Sequence, residues 1–230
     1  MNLQARPVAT AIHHHHRLAW VAAGVLAIGM AFSAGNARAE SNFVNGAGTA
    51  NAKLNFTIII PKFLYLQVGT GTYPTTVATV DTITFDMSAA IASIGTGAVQ
   101  AGTGGDGTGP GTVTARVVGN NFTAATNLSA TTTGPLSNGT NTISWSEIIV
   151  AASTAAVVVP AAASVLAHPG TTAAPFTDGG ATTVSLTPVS RVINQAGKWA
   201  FSYKNTNVPA SGTYGGAASG GQVTYSIAMP

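Results

Sequence analysis

Apolar and polar residues alternate along this chain in short runs, the pattern typical of β-strands that bury one face. The clearest run lies at the end of the sequence, where one face of a predicted strand over residues 222–229 carries Val223, Tyr225, Ile227 and Met229. Because a chain that ends within such a strand leaves no tail to cover the edge, we expect neighbouring strands to hold this one. The free edge would suit an added strand.

A second clear run lies upstream of Pro61, a residue that cannot donate a ladder hydrogen bond. Its apolar face carries Leu54, Phe56, Ile58 and Ile60. Further strands are predicted over residues 63–68, 80–87, 112–118, 122–131, 143–149, 182–188, 190–195 and 198–204. Residues 89–94 predict one helical turn, residues 101–111 a loop, and residues 150–175 a long connection with at most one short strand.

About nine short strands separated by Gly, Pro and Asn turn signals predict an all-β fold. No segment shows helical periodicity over three turns. The count and spacing favour an antiparallel immunoglobulin-like β-sandwich with Greek-key character, which a donor strand from outside can complete. A barrel is the main alternative.

The N-terminal 39 residues have the pattern of a secretory signal peptide: arginines without acids, an apolar stretch over residues 18–32, and small residues at 37 and 39. That stretch is shorter than the roughly 20 residues that cross a bilayer. We therefore predict a signal peptide over 1–39, a flexible extension over 40–53, and one β-sandwich domain over 54–230. The run of histidines at 13–16 would leave with the signal.

Charge and cysteine content narrow the function classes. Three of nine basic residues and none of six acids precede Glu40, so the exported chain carries no net charge. This balance gives no support for nucleic acid as a partner. The chain has no cysteine, although an exported protein can form disulfides. Its stability must come from the core and from strand pairing, and zero net charge favours self-association.

Candidate chemistry is sparse, and we predict that the protein is not an enzyme. After residue 39 a catalytic base or nucleophile could draw only on six carboxylates and His168. We expect His168, in its Ala- and Pro-rich surroundings, to be exposed to solvent. Asp81 and Asp86 are five residues apart, so in a continuous strand they face opposite ways and do not form a glycosidase pair.

Weaker motifs lead to the same prediction. The glycine-rich stretch 104–109 holds one carboxylate, whereas calcium sites need several oxygen ligands. Four aromatic side chains could form a sugar platform, but their alternation with small polar residues favours core positions: Trp145, Trp199, Tyr203 and Tyr225. Glu147, close to Trp145, could orient a buried lysine–asparagine crosslink, but only the composition of the chain supports this, and we do not expect one. We predict no catalytic, cofactor-binding or metal-binding residues and no cofactor.

The terminal alternating strand, preceded by Gly212-Thr-Tyr-Gly-Gly216, resembles the ending of Gram-negative fimbrial subunits of the chaperone–usher type, including cysteine-free ones. The resemblance covers about the last quarter of the chain. It implies a structural subunit that is exported through the periplasm and becomes part of an extracellular fimbria at the cell surface. Assembly would proceed by strand addition between copies, with a periplasmic chaperone and an outer-membrane usher as further partners.

Within that resemblance, eight residues are the strand-pairing candidates. They are Leu54, Phe56, Ile58 and Ile60 as donor or first-strand positions, and Val223, Tyr225, Ile227 and Met229 as groove positions. Residues 40–52 lack the alternating apolar pattern expected of a donor. Two readings from other classes remain: a self-contained secreted binding or adhesion module with an aromatic patch on a loop, and an enzyme whose acids meet His168 in a pocket.

Overall fold

The computed structural model describes residues 41–154, 162, 164–171 and 175–229. The signal peptide predicted over 1–39, Glu40 and the histidine run lie outside the described residues. By internal contacts the chain divides between Ile59 and Ile60, six residues beyond the boundary proposed from sequence. In the first unit, residues 41–59 form neither helix nor strand and are exposed throughout.

The second unit is all-β. Its strands, in chain order, are β1 (Leu64–Val68), β2 (Ile83–Thr84), β3 (Gln100–Ala101), β4 (Thr103–Gly104), β5 (Thr112–Asn120), β6 (Thr126–Thr132), β7 (Leu136–Ser137), β8 (Thr142–Ile143), β9 (Ile148–Thr154), β10 (Ser164–Val165), β11 (Gly180–Leu186), β12 (Val192–Tyr203) and β13 (Val223–Ile227). Three 3-10 turns interrupt them at Ile91–Ser93, Trp145–Glu147 and Ala217–Ser219. The first of these confirms the helical turn predicted over 89–94.

The larger sheet is built around β12. Antiparallel β5 pairs along the first part of β12, and β1 pairs with the far side of β5. Antiparallel β9 covers the opposite side of β12 over Gly197–Tyr203, next to a short parallel pairing with β10. β3 adds to the end of β12 beyond β5. Among the described strands, β1 has a partner on one side only.

The smaller sheet has three antiparallel strands with β6 at its centre, between β11 and β13. The side chains of both sheets meet in one core. Fully buried members come from β5, β6, β11 and β12: Val113, Ala115, Val117, Leu128, Leu186, Ile193 and Trp199. This shared core explains the alternation in the sequence, since each of these strands turns every second side chain towards the other sheet.

A second buried cluster adjoins the first and contains Trp145, Ile148, Phe176 and Tyr203. Trp145, Trp199 and Tyr203 are at most 7 % exposed, which confirms their prediction as core residues. Trp145 is held in place by its indole N–H, which lies 2.9 Å from the Gly134 carbonyl oxygen and 3.1 Å from that of Gly220. Burial of these rings rules them out as an exposed sugar platform.

Several strand predictions differ from the structure in detail. The two strands predicted over 190–195 and 198–204 are one strand, β12, because Gly197 continues the ladder between β5 and β9. A Cβ at Gly197 would lie 2.7 Å from the Leu166 carbonyl oxygen, so glycine permits the close approach of the segment after β10. Of the strand predicted over 80–87, only β2 forms, and it pairs with β4 inside the predicted loop.

Candidate functional site

The apolar segment 54–60 is the most exposed hydrophobic part of the described chain. Its alternating residues are 61–84 % exposed: Leu54, Phe56, Ile58 and Ile60. The intervening Ile59 is 87 % exposed. The segment belongs to no strand. Single exposed apolar residues are ordinary, but five within seven positions form a continuous apolar surface of the kind that marks an interaction site.

The point where this segment meets β1 is fixed by Asn120. The Asn120 side chain donates to the Pro61 carbonyl oxygen at 2.8 Å and accepts from the Phe63 N–H at 2.9 Å. The Asn120 N–H donates to the Phe63 carbonyl oxygen at 3.2 Å. Three hydrogen bonds from one residue at the end of β5 therefore anchor the chain just after Ile60. The sequence pattern did not predict this role of Asn120.

The second set of candidates lies on and beside β13. Val223, Tyr225 and Ile227 are half-buried and alternate with the exposed Thr224 and Ser226. Met229 follows the strand and packs, like Tyr225 and Ile227, against the main core. Among the described strands β13 pairs only with β6, so its other edge carries unpaired backbone groups.

The free edges of β1 and β13 lie on the same side of the core, since Cα atoms of the two strands come within 8 Å of each other. On β1 the residues packed against the core are Leu64, Leu66 and Val68. Like their counterparts on β13, they are half-buried, whereas the core residues of the central strands are almost completely buried. This side of the core is therefore bordered by two edge strands whose core-facing side chains stay partly exposed to solvent.

The structure thus brings together four of the eight candidates from sequence, on β13 and just after it. The other four lie on the exposed segment 54–60, in or next to the first unit. No ladder joins this segment to a strand in the part of the chain that the structure describes.

His168 is not exposed, and this prediction is wrong: 2 % of its surface is accessible. Its ring stands edge-on to Trp199 at 4.6 Å, Phe176 at 5.0 Å and Tyr225 at 5.6 Å between centroids. Nothing in its Ala- and Pro-rich surroundings indicated burial, because Trp199 and Tyr225, two of the aromatic residues that enclose it, are distant in sequence.

Both nitrogens of His168 have partners. Nε2 lies 2.8 Å from the Tyr225 hydroxyl, and Nδ1 lies 2.9 Å from the Gly170 nitrogen and 2.6 Å from its carbonyl oxygen. Removal from water lowers the pKa of His168 to about 4, although the Gly170 hydrogen bond acts in the opposite direction. Burial likewise raises the pKa of Tyr225 above its ordinary value. Both groups are therefore neutral at pH 7.

The carboxylates considered for catalysis serve their own loops. Asp81 accepts from the Thr70 N–H and hydroxyl. Asp86 accepts from the Ser88 N–H, and hydrogen bonds from Ser88 lower the pKa of Asp86. The structure therefore assigns Asp81 and Asp86 to different turns and gives them no shared polar contact.

Asp106 is the carboxylate of the glycine-rich loop. It accepts from Thr108 and from the Thr114 N–H. Partial burial raises the pKa of Asp106, but these hydrogen bonds more than offset that effect, so the pKa is lowered. Within the described ranges, no three His, Asp or Glu side chains lie close enough together to hold a metal ion.

A polar cleft of about 740 Å³ lies next to this loop. Its lining includes Gln67, Tyr73, Asp106 and Arg116. The guanidinium of Arg116 lies 4.9 Å from the centre of the Tyr73 ring, within the range of a cation–π contact. Gln67 donates to the carbonyl oxygens of Gly69 and Gly71 and accepts from Tyr65. The hydrogen bonds of Gln67 and Asp106 are thus already made within the protein.

Glu147 is buried and belongs to a local network. Its two carboxylate oxygens accept from the N–H and the hydroxyl of Thr206. The adjacent Asn205 is fully buried, and its amide bonds to the backbone at Ser93, Gly95 and Ala98. These contacts hold the loop after β12 to the 3-10 turn at Ile91–Ser93. They show a structural use of Glu147 rather than a crosslink.

Comparison with known proteins gives no relative: no family model, no curated protein and no solved structure matches the chain. No helix in the described ranges has the length and hydropathy needed to pass through a bilayer.

Proposed function

We propose that this protein is an exported structural subunit of an extracellular filament, assembled by β-strand addition between copies. In this proposal the two sheets form an immunoglobulin-like sandwich that lacks a strand along the side of β1 and β13. Segment 54–60 of one copy fills that side of the next. The observation that carries the proposal is that one molecule has both an exposed, alternating apolar segment and two edge strands whose core-facing side chains are only half-buried.

The dimensions of donor and acceptor are compatible. Seven extended residues span about 23 Å, and the five residues of β13 span about 17 Å. Added beside β13, the segment would form ladder hydrogen bonds and direct Leu54, Phe56, Ile58 and Ile60 between the half-buried side chains of β1 and β13. The intervening Asn55 and Thr57 are suited to the opposite, solvated face.

The energetic gain supports addition between copies. Burying a large aliphatic or aromatic side chain contributes about 1.5–3 kcal/mol, so the four in-phase residues contribute roughly 6–12 kcal/mol before the cost of ordering the segment. The ladder adds about 0.5–1.5 kcal/mol for each hydrogen bond. An unfilled edge of this kind is an aggregation hazard, which is a reason to propose a periplasmic chaperone and an outer-membrane usher as further partners.

Truncation tests the proposal. The chain without its signal, residues 40–230, should form filaments or SDS-resistant oligomers visible by electron microscopy and size-exclusion chromatography. A chain that begins at Pro61 keeps β1 and its Asn120 anchor but lacks the donor, so it should stay monomeric. Assembly should return when residues 54–60 are fused back onto this truncated chain. Equal assembly with and without residues 40–60 would refute strand donation.

The polar cleft favours a second candidate function, a secreted binding or adhesion module. The half-buried Tyr73 is the residue that could contact a glycan or a protein ligand there, because Arg116, packed against its ring, is only 3 % exposed. The internal hydrogen bonds of Gln67 and Asp106 leave fewer groups for a ligand, which is why we rank this candidate second. Glycan-array binding by a stable monomer, lost in Tyr73→Ala, would favour it over the filament subunit.

A further inference from the structure

We infer that His168 and Tyr225 form an acid-sensitive latch, which holds β13 to the core while the imidazole is neutral and releases it when the imidazole is protonated. The consequence for assembly rests on the proposed function, because β13 is the proposed acceptor strand. The latch itself is a property of the isolated subunit and can be measured there.

The latch joins the C-terminal strand to the interior through one polar contact. Tyr225 is the central residue of β13, and its hydroxyl lies 2.8 Å from Nε2 of His168. The segment that carries His168 is itself fixed to β12, because the Trp199 indole N–H donates to the Leu166 carbonyl oxygen at 2.9 Å. β13 is therefore linked to the central strand of the larger sheet through His168.

The surroundings of the ring accept a neutral imidazole and oppose a charged one. The ring contacts Trp199 and Phe201 of β12, Tyr225 of β13, and Phe176, which precedes β11. Tyr225 is the only titratable group among these contacts.

The nearby charged groups have other partners. Lys198 donates its ammonium to the Thr108 carbonyl oxygen. Asp178, two residues from Phe176, accepts from the Trp145 N–H. Glu147, in the adjoining cluster, is bonded to Thr206. No described carboxylate is in contact with the ring to balance an added positive charge.

Protonation also changes the hydrogen bonds of the ring. In the neutral ring, Nδ1 can accept from the Gly170 N–H while Nε2–H donates to the Tyr225 hydroxyl. The second proton makes both nitrogens donors, so the Gly170 N–H loses its acceptor, while Nδ1–H can donate to the Gly170 carbonyl oxygen at 2.6 Å. That hydrogen bond favours the charged ring but does not offset its removal from water. The charged ring is therefore stabilised by moving into water, and this movement removes the contact that holds Tyr225.

The size of the effect follows from linkage. Moving an imidazole from a site where its pKa is about 4 into water, where it is 6.5, makes opening more favourable as the pH falls. Between pH 7 and pH 4 the opening equilibrium should rise about 100-fold, and between pH 7 and pH 5 about 20-fold. Below pH 4 this group adds only about a further twofold increase.

Hydrogen exchange across this pH range, corrected for intrinsic exchange rates, tests the latch on the monomeric exported protein. Protection of residues 223–229 should fall about 100-fold between pH 7 and pH 4 and stay below that of β5, which exchanges only through global unfolding. His168→Gln, which stays neutral, should remove the pH dependence. Tyr225→Phe should lower protection at pH 7 but keep a pH dependence, because the imidazole remains buried.

An NMR titration keeps the test decisive if a variant fails to fold. His168 is the one histidine of the exported chain, and its imidazole signal should titrate near pH 4. A titration near pH 6.5, or protection of β13 that does not change between pH 7 and pH 4, would overturn the latch. If filaments form, they should dissociate faster at pH 4 than at pH 7 unless His168 is replaced. Absence of filaments would refute the proposed function and leave the latch measurable.

Discussion

Ile58 and Ile59 offer a matched pair for testing strand addition. The two are the same residue type, adjacent, and almost equally exposed, at 84 % and 87 %. A donated strand would bury Ile58, which is in phase with Phe56 and Ile60, and leave Ile59 on the opposite face. Any difference between the two alanine variants therefore reports on the strand and not on general hydrophobicity.

The expected magnitude follows from the methyl and methylene groups removed. Ile58→Ala should reduce the free energy of association between two copies by about 2 kcal/mol, because less apolar surface is buried, and this corresponds to a roughly 30-fold weaker association. Ile59→Ala should change association less than threefold, since that side chain stays in water. Neither change should alter the stability of the monomer, because both side chains are exposed in it.

The assay is the critical concentration for assembly, measured by sedimentation of filaments at a series of protein concentrations. The Ile58→Ala variant should need about 30 times more protein than the unmodified chain, and the Ile59→Ala variant about the same amount as the unmodified chain. Equal effects at the two positions would refute insertion of this segment as an alternating strand. They would instead indicate adhesion through a nonspecific apolar surface.

Three further predictions concern stability, each measured by denaturant unfolding of the monomer. Asn205→Ala should lower the free energy of unfolding by about 3–5 kcal/mol, because three buried backbone groups lose their partner and alanine must adopt the positive φ of 57°. Asn205→Gly should lower it by about 1 kcal/mol less, because glycine adopts that φ without strain. Equal losses in the two variants would contradict a contribution from backbone strain. The pKa of His168 is lower in the folded chain than in the unfolded one. The free energy of unfolding should therefore contain about 3 kcal/mol from this group above pH 6.5, and this amount is lost as the pH falls to about 4. A free energy of unfolding with the same pH dependence in the unmodified chain and in His168→Gln would count against this prediction. Trp199→Phe should cost about 1–3 kcal/mol, since the Leu166 carbonyl oxygen loses its donor; an unchanged midpoint would show that water replaces the indole.

Local periodicity predicts the central strands well. β5 and β13 lie within one or two residues of their predicted bounds, because apolar and polar residues alternate in sequence along both strands. The strand predicted over 122–131 begins only at Thr126. Phe122 is buried as a separate core residue, held by a hydrogen bond from its N–H to the Arg191 carbonyl oxygen. Hydrophobicity indicated its burial but not its conformation.

Interactions between distant residues account for what the sequence could not predict. His168 is buried by Trp199 of β12, Tyr225 of β13 and Phe176, and no pattern in the sequence around His168 predicts these contacts. Asn205 is likewise defined by carbonyl groups more than 100 residues away in sequence. Segment 54–60 shows the reverse case: its periodicity predicts a strand, yet it forms none here. A strand signal without a partner among the described strands is what strand donation would require.

The central claim can be tested most directly with engineered disulfides, because the chain has no cysteine of its own. Ile59 and the exposed Thr224 and Ser226 would share the outer face of the sheet if segment 54–60 of one copy paired with β13 of another. Mixing Ile59→Cys with Thr224→Cys or Ser226→Cys should give an intermolecular disulfide between the two chains, and Ile58→Cys, on the opposite face, should not. No disulfide from either position, or equal yields from positions 58 and 59, would contradict strand addition at β13.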